Sequence, residues 1–460
     1  MSKSIVAAPL LEQARALAVR YLEGTADRKV GPLVDREALL RSLHTPLPDH
    51  GQEPAAVLDA LADGAEPGLV ASVTARYFGF VIGGSLPVTL AADWLTSAWD
   101  QNAGLYVTSP AASVVEDVAR EWLLDLFDLP RTAGLGFVTG CQMANFTALA
   151  AARHSVLRRA GWNVEENGLA GAPHVNLVVS AESHITIHSA MRFLGFGTKA
   201  LQPVDSDEQG RMKPAELARL LEHLSGPTII CAQAGNVNTG AFDPLREIAA
   251  LARQHEAWLH VDGAFGLWAR VSGERRAQAD GIDLADSWAT DAHKWLNVPY
   301  DNGIVIVRDS AAHRASMTTT ASYLEQSGGA ARDPFDWVPE FSRRARGFTV
   351  YAALRHLGRS GVEALIDRAC RAAHVMADAL RQDARVSVLN DVTLNQVLVR
   401  FGDSDEVTRS VIARIQQNGA LWAAGTTWHG KAALRISVSN WATDDDDARD
   451  AAAAILAALA

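Results

Sequence analysis

Residues 287–303 read SWATDAHKWLNVPYDNG, and this stretch sets the first expectation about the fold. It begins with an apolar segment and continues directly into the polar residues around Lys294. An earlier stretch, WLHVDGAFG at 258–266, has the same form, with Asp262 directly after a short apolar run. In open parallel sheets, ligands bind beyond the carboxyl ends of the strands. The two stretches therefore predict a parallel sheet whose chemistry lies at that edge.

Short apolar runs alternate with helical periodicity through the middle of the chain. Runs without polar alternation are typical of strands that are buried on both faces. Strand–helix–strand order predicts right-handed crossovers and a mostly parallel central sheet. The fold class is therefore α/β. The predicted strands lie at 177–180, 228–232, 258–261 and 303–307, and the predicted helices at 114–127, 144–160, 214–224 and 243–255.

Two further units are predicted outside this region. Residues 1–84 open with a helix and continue as a Pro/Gly-rich stretch of short helices and extended arms. Residues 346–460 are predicted to form a smaller C-terminal α/β domain, which leaves 85–345 as the large domain. The helices predicted in the smaller domain lie at 348–357, 361–381 and 404–418, and its strands at 396–401 and 433–438. The acidic run at 444–447 is interpreted as a solvated helix start. The segment at 318–339 has no periodic pattern, and loops of that length are usually functional.

Composition argues against several classes of protein. The 460 residues carry a formal net charge of −11, and a general nucleic-acid binder needs a basic surface. No apolar stretch approaches the roughly 18 residues of a membrane span, and the charged N-terminal helix is unlike a signal peptide. The three cysteines form neither a disulfide framework nor a metal-ligand spacing. We expect a cytoplasmic protein without a metal site, a membrane segment or a nucleic-acid partner.

Lys294 and Asp262 are the first candidates for chemistry. Burial lowers the pKa of a lysine because it disfavours the charged form, and a neutral amine can form a Schiff base. A carboxylate at Asp262 can keep a pyridine nitrogen protonated, which strengthens the ring as an electron sink. Simpler interpretations exist for both, since Lys294 could be an ordinary surface lysine and Asp262 a helix N-cap.

His184 also follows an apolar run, in VVSAESHITIHSA at 178–190. An imidazole at that place could stack on a cofactor ring, and a structural loop histidine is the alternative. His184 and His188 have the spacing of a helical metal pair, but no third ligand is in view.

A glycine turn joins a strand to a helix at 136–153, GFVTGCQMANFTALAAAR. Backbone N–H groups at such a turn, together with the helix dipole, form an anion site. The candidate residues are Gly140, Cys141 and Gln142. The turn matches neither a P-loop nor a GxGxxG fingerprint, so nucleotide binding is poorly supported.

These elements together resemble one family, the pyridoxal-phosphate-dependent group II amino-acid decarboxylases, which include aromatic-amino-acid, glutamate, histidine and diaminobutyrate decarboxylases. The resemblance runs from about residue 76 to residue 441, and its most specific motif is DAHKWLN with HVDGAFG upstream. It implies an aspartate-aminotransferase-like fold (PLP fold type I), the cofactor pyridoxal 5'-phosphate (PLP), and a homodimer with active sites at the subunit interface. The other motifs are SPAASVVEDVAREWL, TGCQMANFTALAAAR, SHITIHSA, AGNVNTGAFDPL, EFSRRARG and LRISVSNW.

The resemblance implies a role for each candidate residue. Lys294 would form the Schiff base with PLP, Asp262 would pair with the pyridinium nitrogen, and His184 would stack on the ring and act as a base. Asn236 stands near the ring, at a position where relatives often have threonine. The other implied cofactor contacts are Gly140, Cys141, Gln142, Asp291 and His293.

Decarboxylation of an amino acid to its amine and CO₂ is the implied reaction. Relatives line the substrate pocket from the segment that matches 77–108, where this chain has aromatic residues and no Lys or Arg. A distal substrate carboxylate would lack a cation there, which favours an aromatic amino acid slightly. Asp93 and Asp100 leave a diamino acid open. The predicted substrate contacts are Tyr77, Phe80, Tyr106, Phe335 and Arg435, the last of which could instead form a structural ion pair.

The loop before Ser342 bears on the identity of the product. Many relatives carry a loop Tyr that protonates the carbanion, and the alignment places it near Pro334 and Phe335, where this chain has none. Tyr323 or His184 could donate the proton instead. Relatives with Phe at that place release an aldehyde, ammonia and peroxide. We expect simple decarboxylation, and an aldehyde synthase or an aminotransferase on the same fold is the alternative.

Overall fold

The computed structural model describes residues 7–319, 326–328 and 331–459. The strands are β1 (Gly134–Val138), β2 (Asn176–Ser180), β3 (Leu201–Val204), β4 (Thr228–Gln233), β5 (Trp258–Asp262), β6 (Ser287–Asp291), β7 (Gly303–Val307), β8 (Val386–Val388), β9 (Gln396–Phe401), β10 (Ala424–Trp428) and β11 (Lys431–Ser437). The α-helices are α1 (Ala8–Gly24), α2 (Arg36–Leu43), α3 (Pro54–Ala65), α4 (Pro87–Trp99), α5 (Pro110–Leu126), α6 (Cys141–Arg159), α7 (Val164–Asn167), α8 (Ile185–Phe193), α9 (Pro214–Glu222), α10 (Leu245–Gln254), α11 (Ser310–Met317), α12 (Gly347–Leu380), α13 (Asp405–Asn418) and α14 (Asp445–Leu459).

Strands β1 to β7 form one sheet in the order β1-β7-β6-β5-β4-β2-β3. Four neighbouring pairs in it are parallel, from β3 through β2, β4 and β5 to β6. Every residue of these strands except in β3 is buried, which explains why their sequences are apolar runs without alternation. The prediction of an α/β fold with a mostly parallel central sheet is confirmed.

Strand β7 is antiparallel to both of its neighbours, β1 and β6. Its apolar run indicates burial on both faces but carries no information about direction. Residues 292–302 connect β6 to β7, and this connection is too short for a parallel crossover, which takes a dozen or more residues. The chain therefore turns back at the carboxyl end of β6 and leaves 292–302 at that edge.

Strands β8 to β11 form a second, antiparallel sheet in the order β10-β11-β9-β8. Helix α12 precedes it and packs against α14. Gly358 interrupts α12 with a φ of 61°, so the two helices predicted at 348–357 and 361–381 form one kinked element. The larger sheet lies within 134–307 and the smaller within 386–437. The domain boundaries at 84 and 345 stay a prediction.

Most elements agree with their sequence-based bounds to within a few residues. Strands β7 and β9 have the predicted bounds, and α14 begins inside the acidic run. The sequence did not reveal β3, β8 and β10, because these short strands are only partly buried and lack an apolar run. Within the described part of the chain, no helix is long and apolar enough to cross a membrane.

A buried ion pair joins the segment before α12 to α5. Arg343 Nη1 lies 2.8 Å from Glu116 Oε1, and each side chain is 1% exposed. The guanidinium also donates to the carbonyl oxygens of Ala103 and Phe137. Burial raises the pKa of Glu116, and the Arg343 charge opposes this shift. Loss of one partner would leave the other charge buried without compensation, which is strongly destabilising.

We expect Arg343→Met to lower the free energy of unfolding by about 3–5 kcal/mol, because Glu116 would stay buried without its partner. Arg381→Met is the matched control, since Arg381 pairs with Asp378 at the surface and exposed pairs contribute little. Urea denaturation of both apoproteins, followed by circular dichroism, measures the two losses. Equal, small losses would contradict a stabilising role for the buried pair.

Candidate active site

Eight of the predicted site residues line one cavity of about 250 Å³ at the carboxyl edge of the larger sheet. Strands β1, β2, β4, β5 and β6 all end at this edge, because β1 is parallel to β6 through their shared antiparallel neighbour β7. The eight residues are Gly140, Cys141, Gln142, His184, Asp262, Asp291, His293 and Lys294. The rest of the wall comes from Thr186, Gln233, Gly235, Val237, Ala264 and Phe265.

Lys294 lies on the connection between β6 and β7. Its Nζ atom is 3.1 Å from Asp291 Oδ2, and both side chains are largely buried. Burial lowers the pKa of Lys294, but the charges of the Asp291 and Asp262 carboxylates raise it, and the pKa is raised overall. The expected lowering of this pKa is therefore wrong for the protein without cofactor, because nearby negative groups outweigh burial.

Asn297 fixes the connection that carries Lys294. It is fully buried, and its backbone carbonyl accepts a hydrogen bond of 2.8 Å from the Leu86 N–H. Its side-chain Nδ2 donates to the carbonyl oxygen of Ser439, and its Oδ1 accepts from the Trp441 N–H at 2.8 Å. These bonds hold the connection between the start of α4 and the segment after β11.

His293 and Asp291 lie side by side below the glycine turn. His293 Nε2 is 3.5 Å from Asp291 Oδ1, and His293 Nδ1 accepts a hydrogen bond from the Asn302 N–H. The imidazole stacks on Tyr300 with 4.2 Å between ring centres. Burial lowers the pKa of His293, and the Asp291 charge opposes this. Asp291 Oδ1 is buried without a hydrogen-bond partner among the described residues, so it can accept one from a ligand.

Asp262 is the last residue of β5 and is almost fully buried. Its Oδ1 accepts from the Ala264 N–H at 3.1 Å and lies 3.4 Å from Cys141 Sγ. Its Oδ2 accepts from Asn145 Nδ2 at 3.1 Å. The alternative role as a helix N-cap is not realised, because the next helical turn begins only at Gly266.

The turn at Gly140 leaves room that a side chain would fill. A Cβ at Gly140 would lie 3.2 Å from His293 Cε1 and 3.7 Å from Asp291 Oδ1. Helix α6 begins at the next residue, and no described side chain caps its N-terminus. The first N–H groups of a helix have no intrahelical partners and, with the helix dipole, favour an anion. The start of α6 therefore suits a phosphate group.

His184 lines the cavity and also caps α8. Its Nδ1 accepts from the Thr186 N–H and lies 2.9 Å from Thr186 Oγ1. Desolvation lowers the pKa of His184, while the Asp262 charge opposes the shift. His188 bonds instead to Ser183, so the two histidines do not act as a pair. Within the described ranges, no group of three or more His, Cys, Asp or Glu side chains could hold a metal ion.

Three of the predicted substrate contacts form one cluster. Tyr77 is buried and stacks on Trp422 with 5.2 Å between ring centres, and Phe80 tilts against the same indole. The guanidinium carbon of Arg435, on β11, lies 5.8 Å from the Phe80 ring centre. Burial raises the pKa of Tyr77 to about 12, and the Arg435 charge opposes this. The cluster combines an aromatic surface with one cation.

Six predicted residues are not in the cavity wall of the described structure, namely Tyr77, Phe80 and Arg435 of this cluster and Tyr106, Phe335 and Asn236. Tyr106 donates its backbone N–H to Asp333 Oδ1, and the buried Phe335 donates its own to the Gly104 carbonyl oxygen. Asn236 Oδ1 accepts from the backbone N–H groups two and three residues later, which stabilises a tight turn. Tyr323 lies outside the described residues.

Sequence reasoning missed several polar residues at this site. Asn145 and His260 are fully buried behind Asp262, and Tyr300 stacks on His293. A signal existed for His260, since residues two apart on a strand share a face and Asp262 was already a candidate. Asn145 lies one helical turn after Cys141, which places both on one face of α6. Trp422 had no local signal, because it meets Tyr77 only through tertiary packing.

Pyridoxal phosphate presents an aldehyde, a ring nitrogen and a phosphate, and each needs a different partner. The cavity offers the amine of Lys294, the buried carboxylate of Asp262 and the uncapped start of α6 at Cys141. The residues present therefore fit this cofactor. Fold and site together define a pyridoxal-phosphate-dependent enzyme.

Comparison with known proteins identifies the family. Residues 37–401 match the model of the pyridoxal-dependent decarboxylase conserved domain, so the chain belongs to that family. It is a pyridoxal-phosphate-dependent carboxy-lyase that acts on amino acids, as the sequence motifs implied.

Several relatives with stated activities are similar over most of the chain. The chain is 27% identical to tryptophan decarboxylase 1 of Oryza sativa subsp. japonica, over 94% of this chain and 89% of that protein. It is 29% identical to L-2,4-diaminobutyrate decarboxylase of Rhizobium meliloti (strain 1021), over 86% and 80%. The crystal structure of Rhodiola rosea 4-hydroxyphenylacetaldehyde synthase has a TM-score of 0.89 at 22% identity, and the match covers 100% of this chain and 99% of that one.

We expect the cofactor to be attached to Lys294, because its amine is the one lysine amine in the described cavity wall. Borohydride reduction of the holoenzyme, followed by peptide mass mapping, should find the pyridoxyl group on Lys294 and on none of the exposed lysines, Lys29, Lys199, Lys213 and Lys431. Lys294→Arg is the control and should carry no label. Label on another lysine of the unchanged protein would contradict the assignment.

Proposed function

We propose that the chain converts an L-amino acid, preferably an aromatic one, into the corresponding amine and CO₂. The observation that carries this proposal is the cavity in which Lys294, Asp262 and His184 meet. Bound pyridoxal phosphate supplies an electron sink for the electrons released when the Cα–carboxylate bond breaks. In this proposal Lys294 holds the cofactor and exchanges with the substrate amine, Asp262 keeps the ring nitrogen protonated, and His184 stacks on the ring.

The phosphate end of the cofactor is assigned to the start of α6. Cys141 and Gln142 supply first-turn N–H groups, and Gly140 leaves space for the anion. Asp291 and His293 line the cavity beside that turn, and Asp291 also positions the Lys294 amine. The resemblance assigns Asn236 to the ring side; its buried Nδ2 has no partner among the described residues, although the residue is not in the cavity wall.

The preference for an aromatic substrate rests on the chemistry of the cluster of Tyr77, Phe80, Trp422 and Arg435. Aromatic rings prefer tilted or offset contacts with one another, and Phe80 is exposed beside Arg435. Asp93, which left a diamino acid open, is paired with Arg344 at 2.7 Å and so has its own cation. The diamino-acid alternative therefore rests on the exposed Asp100 alone.

Arg435 is proposed to bind the substrate carboxylate. Burial lowers the pKa of its guanidinium, and no ion pair with a described acidic residue compensates its charge. A buried cation without an acidic partner suits an anionic ligand. Tyr106 and Phe335 are proposed to reach the substrate from the region of the loop.

An aldehyde synthase is the alternative activity, and one observation favours it. The aligned position of the protonating Tyr falls near Pro334 and Phe335, and Phe335 is buried against Phe341. A phenyl ring has no proton to give to the carbanion, so oxygen could intercept it. Aminotransfer on the same fold is a further alternative, and its product is a keto acid.

We also propose that two chains form the functional unit, in the cytoplasm. Helix α1 has no buried residue, and a groove of about 990 Å³ lies between it and α4. Leu22, Leu90 and Trp94 line this groove, and apolar surfaces of that kind mark interfaces. All three cysteines are free and buried, which suits a reducing compartment.

The reaction is tested by incubating the pure holoenzyme with each of the twenty L-amino acids and measuring CO₂, amine, aldehyde, peroxide and keto acid. We expect one aromatic amino acid to give amine and CO₂ in equal amounts, because the carbanion is protonated before it meets oxygen. Peroxide and aldehyde that rise with CO₂ in air but not under nitrogen would establish the synthase instead. A keto acid without CO₂ would establish aminotransfer.

The homodimer is tested by sedimentation velocity. We expect the wild-type protein to be a dimer. Trp94→Glu should raise the dissociation constant of the dimer by at least about tenfold, because a charge would enter an apolar interface. Val407→Glu, on the exposed face of α13, is the matched control and should remain a dimer. Equal dissociation of both variants, or a monomeric unchanged protein, would contradict the proposal.

A further inference from the structure

Three polar or amphipathic side chains alternate along β5 and share one face of the sheet. They are Trp258, His260 and Asp262, which lie two positions apart along the strand. His260 is opposite Ser287 of β6 in the sheet register. Helix α6 covers this face and presents Asn145 to it. All of these side chains are buried, so each polar atom must find a partner within the protein.

The hydrogen bonds among them form one continuous chain. Trp258 Nε1 donates to Ser287 Oγ at 2.9 Å, and Ser287 Oγ lies 2.9 Å from His260 Nδ1. His260 Nε2 lies 2.9 Å from Asn145 Oδ1. Asn145 Nδ2 then donates to Asp262 Oδ2 at 3.1 Å. The chain thus runs from an indole at the start of β5 to the carboxylate at its end.

The two ends of this chain determine the direction of every bond in it. A carboxylate accepts only, so Asn145 must present its NH₂ group to Asp262 and its carbonyl oxygen to His260. His260 must then carry its proton on Nε2 and accept at Nδ1 from the Ser287 hydroxyl. The indole N–H can only donate, and it satisfies the Ser287 oxygen. The arrangement requires a neutral imidazole, and burial lowers the pKa of His260 to about 4.

A branch of the chain reaches the other side of the cavity. Asn145 Nδ2 also lies 3.2 Å from Thr186 Oγ1, which is 2.9 Å from His184 Nδ1. One amide group is therefore bonded both to Asp262 and, through one hydroxyl, to His184. Both of these residues face the cavity, whereas Asn145 and His260 do not line it in the described structure.

We propose that Asn145 and His260 are positioning residues, which hold the Asp262 carboxylate and the His184 ring in fixed orientations for the pyridine ring of the cofactor. This inference rests on the roles proposed above for Asp262 and His184. Neither residue touches the cofactor or the substrate. Asn145 donates one hydrogen bond to the Asp262 carboxylate, and His260 holds Asn145 in place. Together they restrict the rotation of Asp262, so that the carboxylate does not reorganise when the ring nitrogen pairs with it.

The experiment measures cofactor affinity as well as turnover. Apoprotein of each variant is titrated with pyridoxal 5'-phosphate, and the dissociation constant is read from quenching of tryptophan fluorescence. We expect His260→Phe and Asn145→Ala each to weaken binding by about tenfold to a hundredfold, as for loss of a hydrogen bond to a charged group. In both variants, the pH at which the absorbance of the bound cofactor changes should also be lower than in the wild-type protein, because the ring proton is held less firmly.

Two variants test whether the effect passes through Asp262. His260→Gln keeps a side-chain N–H for Asn145, so its dissociation constant should stay within about threefold of the unchanged protein. Asp262→Asn should weaken binding more than either single variant, and His260→Phe should add less than about twofold to it, because residues in one network are not additive. Additive losses in the double variant would overturn the proposal.

The control separates this role from the general cost of removing a buried amide. Asn176 begins β2 and donates to the Ser225 carbonyl oxygen and to Thr228 Oγ1, away from the cavity. Asn176→Ala should lower stability without changing cofactor affinity. If Asn145→Ala and His260→Phe also leave affinity unchanged while Asp262→Asn abolishes it, the positioning role is wrong and the role of Asp262 stands.

A different result would contradict the proposed role of Asp262 itself. If Asp262→Asn binds the cofactor and turns over substrate like the unchanged protein, the assignment of Asp262 fails, and the positioning role fails with it. Should His260→Phe not fold, Ser287→Ala gives the same test, since it removes the hydroxyl that holds the proton of His260 on Nε2. Unchanged affinity in Ser287→Ala and in Asn145→Ala would overturn the positioning role.

Discussion

The parallel pairing of β5 with β6 is the constraint on which the site depends. It aligns Asp262, the last residue of β5, with Ala289 in register, so that β6 ends two residues later at Asp291 and both carboxylates lie at one edge. The same parallel arrangement brings the ends of β2 and β4 to that edge, and with them His184 and Gln233. The carboxyl ends of parallel strands lie at one edge of a sheet in any fold of this kind, and ligands bind at that edge.

Strand β7 completes the site because it runs against β6. A return of eleven residues cannot pass over the face of the sheet, so the connection stays at the edge and holds Lys294 next to Asp291. Asn297 then ties that connection to the start of α4 and to the segment after β11. The position of the reactive amine thus depends on the larger sheet, on the start of α4 and on the C-terminal unit together.

Electrostatics at the site follow from the same geometry. Asp291 and Asp262 both lie close to Lys294 in a buried cavity, and their charges raise its pKa against the effect of burial. Behind Asp262, the hydrogen bonds from Trp258 through His260 and Asn145 all donate in one direction toward the Asp262 carboxylate, and this order keeps His260 neutral. Buried polar groups that are all paired are rigid, and a rigid carboxylate needs little reorganisation when it meets a cationic ring.

The sequence by itself determined the α/β class, many of the elements and six residues of the cavity wall, because apolar runs report burial and the polar residues directly after them report the strand ends. The family resemblance added Asp291 and His293 to that wall. The sequence also carried the family, through motifs around Lys294 and Asp262 that the family comparison confirmed. Only the tertiary structure decided that β7 is antiparallel, that the Lys294 pKa is raised, that Tyr77 stacks on Trp422, and that Asn145 and His260 stand behind Asp262. Each of these depends on contacts between residues far apart in the chain, and a local pattern reports how deeply a segment is buried but not which segment lies against it.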